Sequence, residues 1–483
     1  MASKVERCSL SEELDVSRVL TGLWQVADME RGGRTLDADA AAGALVPYVE
    51  AGFTTFDMAD HYGSAELIAG ALRSRVGAGA VQLLTKWVPQ PGPTTREEVR
   101  AAVQRALGRI GAEQIDLLQF HAWSYDDPRY LDCLHYLEEL RQEGLIRHLG
   151  LTNFDAAHLR VVIRSGIRIV SNQVSFSLID RRPLAGLTRF CADNGIQVLA
   201  YGTLAGGYLS ERFLDGHAPD EKEMNWSQMK YLRFIDASGG WELFQTILRT
   251  LDSVAKRLGV SIANVATRYV LEQPAVAGII VGARPGQSEH LAENLQLFGF
   301  ALDEAGKSEI ETALSRLQPI PGFSGDEYRR PPFLTASGDL RHHVEDIVLP
   351  FDTCSTGDGR TQALSGTEWE SLGGFSRAIR CGSRILVSGT TATHGRRSIG
   401  GNDPVAQLHF VIDKIEGALR SLGGRLDQVV RTRIYLRNTE DWQAVTRAHG
   451  ERFRDILPAN TLIRADLIGD EYLVEMEAEA HVS

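Results

Sequence analysis

Four polar side chains in the N-terminal part of the chain have types that suit the reduction of a carbonyl group: Asp57, Tyr62, Lys86 and His121. A tyrosine with its ordinary pKa of about 10 donates a proton poorly at neutral pH, but a neighbouring lysine ammonium stabilises the phenolate and lowers that pKa. Asp57 would hold Lys86 charged and in place. His121 would act as a neutral donor that orients the carbonyl, while Tyr62 protonates its oxygen and hydride reaches its carbon.

The elements that must position these residues are short strands alternating with helices from residue 18 to about residue 317. Eight β-branched or aliphatic runs are predicted as strands: 18–26, 54–59, 81–87, 115–122, 146–153, 169–177, 196–204 and 276–283. Eight strands with intervening helices predict an α/β fold of the (β/α)8 TIM barrel type. An open doubly wound sheet is disfavoured, because no G-x-G-x-x-G motif follows any of these runs.

The placement of the four residues strengthens an otherwise weak signal. A lone tyrosine or lysine at a strand end is more often a surface or packing residue. Here Asp57 lies within the second predicted strand, Tyr62 just beyond it, Lys86 at the end of the third and His121 at the end of the fourth. Side chains at the carboxyl ends of barrel strands converge on one pocket, so these four are expected to meet.

Three segments around these residues resemble the catalytic segments of the aldo-keto reductase family. They are FDMADHYGSAE (56–66), LLTKW (83–87) and DLLQFHAW (116–123). The resemblance covers about residues 15–316. It implies an NAD(P)-dependent enzyme that uses Asp57, Tyr62, Lys86 and His121 on a small carbonyl compound or the corresponding alcohol.

The same resemblance implies a cofactor site through GLTNF, SNQVSFS, LAYGTLAGG and IIVGARPGQSEHLAENL. Its residues, from the nicotinamide to the adenosine end, are Thr152, Asn153, Gln173, Tyr201, Leu204, Gly206, Gly282, Ala283, Arg284, His290, Glu293 and Asn294. Tyr201 would stack on the nicotinamide, and Arg284 would bind a 2′-phosphate, because a guanidinium matches phosphate bidentately. His290 stands where many relatives carry a second Arg or Lys. NADP(H) is therefore the preferred cofactor with NAD(H) still allowed, and an ordinary helix cap at this segment remains the alternative.

The amino-acid composition limits which kinds of partner and cofactor the protein is expected to bind. The 483 residues carry a formal net charge of -12, with 43% hydrophobic and 24% charged residues. That balance gives no general attraction to nucleic acid or to an anionic membrane. The five cysteines form no Cys-x-x-Cys pair, which argues against a disulfide framework and a zinc knuckle, so no metal site is expected. No apolar run is long enough for a membrane span, and a cytoplasmic protein is expected.

The chain divides after residue 317. Residues 1–317 are expected to form the barrel, and 318–339, rich in proline and glycine, a linker. Residues 340–483 then predict an α+β domain, with strands 377–389, 429–437, 461–468 and 472–481 and helices 403–422 and 441–456 on one face. Inside the barrel the long insertion 211–240 is interpreted either as a lid over the mouth or as a structural flap.

The C-terminal domain is similar over about residues 366–483 to the reactive-intermediate deaminase (Rid) family, which has a chorismate mutase-like fold. The likeness is carried by FSRAIRCGSRILVSGTTA, VVRTRIYL, LPANTLIRADL and LVEMEAEA. It implies a homotrimer with pockets between subunits, where an arginine directly after Pro-Ala holds a carboxylate. Asn460 occupies that position and cannot supply the charged fork, whereas Glu475 matches the family's acidic position. Arg464 shares a face with Asn460 by period-two alternation and is either a displaced anchor or a solvated arginine.

Two functions are left open for the whole chain. The first is an oxidoreductase for a small aldehyde or ketone, with the C-terminal domain used for assembly or for handling an imine. The second is a nicotinamide-binding sensor or scaffold whose catalysis is vestigial. The intact set of four residues favours the first, because a sensor does not need all of them.

Overall fold

The eight strands predicted for the first two thirds of the chain are all present in the computed structural model, which describes residues 4–30, 33–220, 222, 224–287, 290–330 and 348–482. They form a closed parallel barrel in which the last strand pairs with the first. In chain order the barrel strands β3 to β10 are Val19–Gly22, Thr55–Asp57, Gln82–Trp87, Ile115–His121, Ile146–Thr152, Ser171–Ser175, Gln197–Tyr201 and Val276–Gly282.

The helices of this part of the chain lie outside the barrel strands or over their ends. In chain order α1 to α12 are Trp24–Met29, Ala38–Glu50, Ala65–Val76, Arg96–Ile110, Tyr130–Gln142, Ala156–Arg164, Leu187–Asp193, Trp226–Ala237, Trp241–Leu258, Ile262–Leu271, Leu291–Gln296 and Glu304–Leu314. Local sequence sets their ends. The helix Arg96–Ile110, for example, starts at a capping box of Thr95 with Glu98 and stops at Gly111 in the left-handed conformation.

An N-terminal hairpin, which the sequence analysis did not predict, closes the amino end of the barrel. Its strands β1 (Arg7–Ser11) and β2 (Leu14–Ser17) are antiparallel. The hairpin buries Leu14 and Val16 against the barrel-interior side chains Leu84 and Leu117. That packing leaves the carboxyl ends of the strands as the open end of the barrel.

The C-terminal domain is a seven-stranded sheet with two long helices on one face. Its strands β11 to β14 and β17 to β19 are Asp352–Ser355, Arg360–Leu364, Ala378–Cys381, Arg384–Thr391, Val429–Leu436, Ala459–Arg464 and Val474–His481, and Thr393–His394 (β15) pairs with Arg397–Ser398 (β16). Its helices α13 to α15 are Glu368–Gly373, Pro404–Ser421 and Trp442–Phe453. The single strand predicted at 377–389 is a hairpin, because Gly382 turns the chain at a φ of 62°.

One of the two long helices of this domain packs directly against the barrel. Pro404–Ser421 lies beside Ala156–Arg164, and 14 of its 18 residues are buried. At the centre of the interface the His158 ring lies between two carboxylates, with Nδ1 2.7 Å from Asp155 Oδ2 and Nε2 3.0 Å from Asp413 Oδ2. Arg452 completes this buried cluster, with Nη1 2.7 Å from Asp413 Oδ1.

Part of the segment expected to be a linker is instead built onto the barrel mouth. Arg329 donates hydrogen bonds to the carbonyl oxygens of Ala122 and Asn153, each at 2.7 Å. Gly325 has a φ of 87° and lies so close to Asn153 that a Cβ would collide with the carbonyl oxygen of Asn153. Residues 331–339 of the expected linker lie outside the described residues. Gly325 is thus needed for close packing against Asn153 and not for chain flexibility. Composition alone does not distinguish these two uses of glycine.

None of the described helices is both long enough and apolar enough to cross a bilayer.

Candidate active site

One cavity of about 520 Å³ opens at the carboxyl ends of the barrel strands. It is lined by 15 of the 16 residues that the sequence analysis assigned to catalysis or cofactor binding in the barrel: Asp57, Tyr62, Lys86, His121, Thr152, Asn153, Gln173, Tyr201, Leu204, Gly206, Gly282, Arg284, His290, Glu293 and Asn294. The exception is Ala283. It is buried, and its backbone N–H bonds to the carbonyl oxygen of Gly22, so it holds the last strand to the first.

The predicted catalytic set is assembled at the carboxyl ends of neighbouring strands. Lys86 Nζ donates to Asp57 Oδ2 at 2.7 Å and lies 5.0 Å from the centre of the Tyr62 ring. Both members of the ion pair are buried, and burial lowers the pKa of Lys86 although Asp57 opposes that effect. The buried ammonium beside the phenol ring is the arrangement that favours proton release from Tyr62.

Asp57 is fixed from its other side by two amides. Gln173 Nε2 donates to Asp57 Oδ1 at 2.7 Å, and Gln119 Nε2 donates to the same oxygen at 3.0 Å. Gln173, which the family likeness assigns to the nicotinamide carboxamide, therefore also holds the carboxylate of Asp57, a predicted catalytic residue. Gln119 was missed by the sequence analysis, although a glutamine at an inward position of the apolar strand Ile115–His121 is the signal that would have found it.

The predicted nicotinamide end of the cavity is shaped by Tyr201 and Asn153. The Tyr201 hydroxyl donates to Asn153 Oδ1 at 2.7 Å, and Asn153 itself has a φ of 60°. An aromatic face beside amide donors and acceptors fits a nicotinamide ring with its carboxamide. These residues therefore fit the cofactor that the family likeness implies.

The predicted adenosine end contains an ion pair that the sequence did not reveal. Arg284 Nη2 lies 2.6 Å from Asp28 Oδ2. His290 Nδ1 lies 3.8 Å from Glu293 Oε2, and this interaction raises the pKa of His290. A phosphate group that bound here would compete with the Asp28 carboxylate for the Arg284 guanidinium.

The insertion 211–240 contributes the helix Trp226–Ala237, which forms one wall of the cavity. Trp226, Lys230 and Tyr231 line the cavity from this helix. Tyr328, from the segment after the barrel, faces them across the mouth. The insertion thus contacts the site, and Lys230 and Tyr328 are lining residues that sequence reasoning missed, because neither stands in a recognisable motif.

The three residues predicted for a pocket in the C-terminal domain are not brought together within one chain. Asn460 pairs with Thr432 across parallel strands, and Thr432 Oγ1 lies 3.1 Å from Asn460 Oδ1 on the face that carries the helices. Arg464 shares that face through its pairing with Leu436. Glu475 pairs with Tyr435, three residues from Thr432, and so lies on the opposite face.

The structure is a closed (β/α)8 barrel whose cavity holds a buried lysine–aspartate pair beside a tyrosine ring. The model of the Aldo/keto reductase family matches residues 18–315. That match covers more than half of the chain, which therefore belongs to the aldo/keto reductase family and is an NAD(P)-dependent oxidoreductase. The model named Endoribonuclease L-PSP matches residues 366–482, so a domain of that family follows the barrel. Both resemblances found in the sequence are confirmed.

Individual relatives cover the two parts separately. The NADH-specific methylglyoxal reductase of Escherichia coli is 25% identical over 332 residues, which are 63% of this chain and 97% of that protein. An uncharacterized Streptomyces coelicolor protein, SCO2049, is 35% identical over 127 residues, 26% of this chain and 95% of that protein. The glycerol dehydrogenase AKR11B4 structure from Gluconobacter oxydans has a TM-score of 0.54 at 24% identity, covering 67% of this chain and 98% of its own. That likeness shows the fold alone.

Proposed function

We propose that this protein reduces a small aldehyde or ketone with NADP(H), or oxidises the corresponding alcohol, with Tyr62 as proton donor. One observation carries the proposal. Lys86 lies between the Asp57 carboxylate and the Tyr62 ring in the cavity that His121 also lines. A proton donor, its activating cation and a substrate-orienting imidazole are thus within one pocket.

The residues act on the substrate as follows. The bound cofactor supplies the hydride. His121 and the Tyr62 hydroxyl hold the carbonyl oxygen, and Tyr62 gives its proton to that oxygen as negative charge develops there. Lys86 stabilises the resulting phenolate, while Asp57, held by Gln119 and Gln173, keeps Lys86 charged and placed. Tyr201 and Asn153 position the nicotinamide ring.

The test is steady consumption of NADPH with a panel of small carbonyl compounds. Tyr62→Phe should abolish turnover but keep NADPH binding, because the lost hydroxyl serves the proton and not the cofactor. Tyr136→Phe is the matched control, since Tyr136 lies on the helix Tyr130–Gln142 and outside the cavity. Wild-type protein that binds NADPH tightly yet reduces no compound would favour the sensor or scaffold function.

The choice of cofactor is the finer part of this proposal. Arg284 supports NADP(H), because its guanidinium lies where the family likeness puts the 2′-phosphate. Asp28 weakens that preference by competing for the same guanidinium. One relative bears the name of an NADH-specific enzyme. We infer a modest preference for NADP(H), with NAD(H) accepted.

The C-terminal domain is proposed to assemble the protein as a homotrimer in the cytoplasm, without nucleic acid or membrane partners. The barrel covers the helix face of the domain, whereas the opposite sheet face carries the exposed apolar side chains Leu386 and Ile463, 39% and 45% accessible. An open apolar sheet face suits association with further copies. Imine hydrolysis is not proposed, because the neutral side chain of Asn460 cannot hold a carboxylate as the family's arginine does.

A further inference from the structure

A second lysine, tyrosine and carboxylate set lies at the barrel mouth, where Lys230 and Tyr328 line the cavity and Glu327 is fully buried. Lys230 Nζ donates to the Tyr328 hydroxyl oxygen at 2.9 Å and lies 3.7 Å from Glu327 Oε1. The same ammonium lies 4.6 Å from the centre of the Tyr328 ring. Lys230 comes from the helix Trp226–Ala237, whereas Glu327 and Tyr328 come from the segment after the barrel, so the set exists only when that segment is docked.

Tyr328 lies next to the group that orients the substrate. Its ring centre is 5.3 Å from that of His121 and 6.1 Å from that of Trp123. All three line the cavity. The proposed reduction uses neither Lys230 nor Tyr328, so these side chains are available to contact the rest of the substrate.

Around Lys230 and Tyr328, the cationic and acidic side chains are equal in number. Arg182 lies 2.6 Å from Asp180 and 2.9 Å from Glu327, and Lys230 is the second cation beside Glu327. Burial alone would raise the pKa of Glu327, but Arg182 and Lys230 lower it to about 2. Two cations therefore face the two carboxyl groups of Asp180 and Glu327. An anionic ligand group would add a charge without a partner, so the cluster suits a neutral ligand atom.

The hydroxyl of Tyr328 keeps a hydrogen that it can donate. Its oxygen accepts a hydrogen from Lys230, which leaves its own hydrogen for another acceptor. The Tyr201 oxygen is 3.5 Å away, at the limit of a hydrogen bond, and Tyr201 already donates to Asn153. A ligand oxygen entering the cavity would be a better acceptor for the Tyr328 hydroxyl.

We propose that Tyr328, held by Lys230, donates a hydrogen bond to a neutral oxygen on the carbon next to the reacting carbonyl. The barrel then selects α-hydroxy and α-oxo carbonyl compounds over simple ones. This specificity rests on the proposed reductase function. His121 and Tyr62 hold the reacting oxygen, and the adjacent oxygen, one carbon further along, points toward Tyr328.

The test compares kcat/KM for three compounds of the same length: 2-hydroxypropanal, 2-oxopropanal and propanal. Wild type should prefer the two oxygenated compounds. Tyr328→Phe should reduce that preference by about tenfold while leaving propanal nearly unchanged, as expected for one hydrogen bond. Tyr125→Phe is the control, because its hydroxyl bonds to the backbone of Asn153 and Tyr125 does not line the cavity. It should leave the preference intact.

Each other outcome has a distinct meaning. An unchanged preference in Tyr328→Phe, or an equal loss for all three compounds, would overturn the role of Tyr328 in specificity. A wild-type preference for 2-oxopropanoate over 2-oxopropanal would overturn the choice of a neutral oxygen. Wild-type protein that reduces none of the compounds would overturn the reductase function and this inference with it.

Discussion

The guanidinium of Arg284 and the carboxylate of Asp28 form an ion pair at the predicted adenosine end of the cavity, with Nη2 2.6 Å from Oδ2. Asp28 lies on the short helix Trp24–Met29, which replaces the end of the strand predicted at 18–26. In the proposed cofactor site, a 2′-phosphate would compete with the Asp28 carboxylate for the Arg284 guanidinium. Under that proposal, the balance between NADP(H) and NAD(H) depends on both residues and not on Arg284 alone.

Asp28→Asn should tighten NADPH binding by about 1.5 to 3 kcal/mol at most, because it frees a charge-assisted donor for the phosphate. NADH, which lacks that phosphate, should bind with nearly unchanged affinity. Fluorescence titration of both cofactors measures the difference. Arg284→Ala should act in the opposite direction, and equal weakening of both cofactors in Arg284→Ala would show that Arg284 is structural.

Lys86→Met should slow carbonyl reduction by about 100-fold or more, the usual contribution of an acid catalyst. Burial lowers the pKa of Lys86, so in wild type the ammonium loses its proton as pH rises through that lowered value. Reduction by wild type should therefore fall on the alkaline side, and the residual activity of the variant should lack that fall. A full pH–rate profile checks both points, and retained activity with an unshifted profile would contradict the role of Lys86.

Asp413→Asn should destabilise the protein by about 3 to 5 kcal/mol, because it leaves Arg452 and His158 buried with one carboxylate fewer. Thermal melting followed by circular dichroism measures the loss. Asp427→Asn, which disrupts an exposed pair with Arg425 in the same domain, should melt like wild type. Equal melting of Asp413→Asn and wild type would show that the interface cluster contributes nothing to stability.

The same cluster predicts a pH dependence of stability. Burial favours the neutral His158 ring, but Asp155 and Asp413 outweigh it and raise the pKa of His158. A raised folded-state pKa adds stability that is complete below the ordinary histidine pKa and lost as pH rises through the raised value. The melting temperature should therefore fall from neutral to alkaline pH, and Asp413→Asn should show a smaller fall.

Light scattering of the full chain should give three times its mass of 53.1 kDa. Leu386→Glu should lower that mass, because it puts a charge on the exposed sheet face that is proposed to associate. Leu67→Glu, at a similarly exposed position on a barrel helix, is the matched control and should leave the assembly intact. A wild-type monomer would remove the proposed assembly role of the C-terminal domain.

The barrel was predictable because its signals are local. Alternating strands and helices fixed the count of eight, and the position of each polar residue at a strand end brought Lys86, Asp57 and Tyr62 together. The cofactor segments followed from the family likeness. Of the assigned barrel residues, Ala283 alone lies outside the cavity lining, since its backbone pairing turns it into the barrel wall.

The missed features depend on contacts between distant parts of the chain. Residues 321–330 have the composition of a linker, and only the docking of Arg329 and Gly325 against Asn153 makes them part of the site. The interface of His158 with Asp413 joins residues 255 positions apart. Neither hydrophobic periodicity nor a sequence motif predicts these contacts, because the residues that meet are far apart in the chain and share no sequence pattern.

The helix Pro404–Ser421 has one side on its own sheet and the other on the barrel. A protease or a gene truncation that separated the two parts would expose apolar and charged groups that have no other cover. Either part expressed alone should therefore be less soluble than the full chain, because the surface that the two parts now bury against each other would face water.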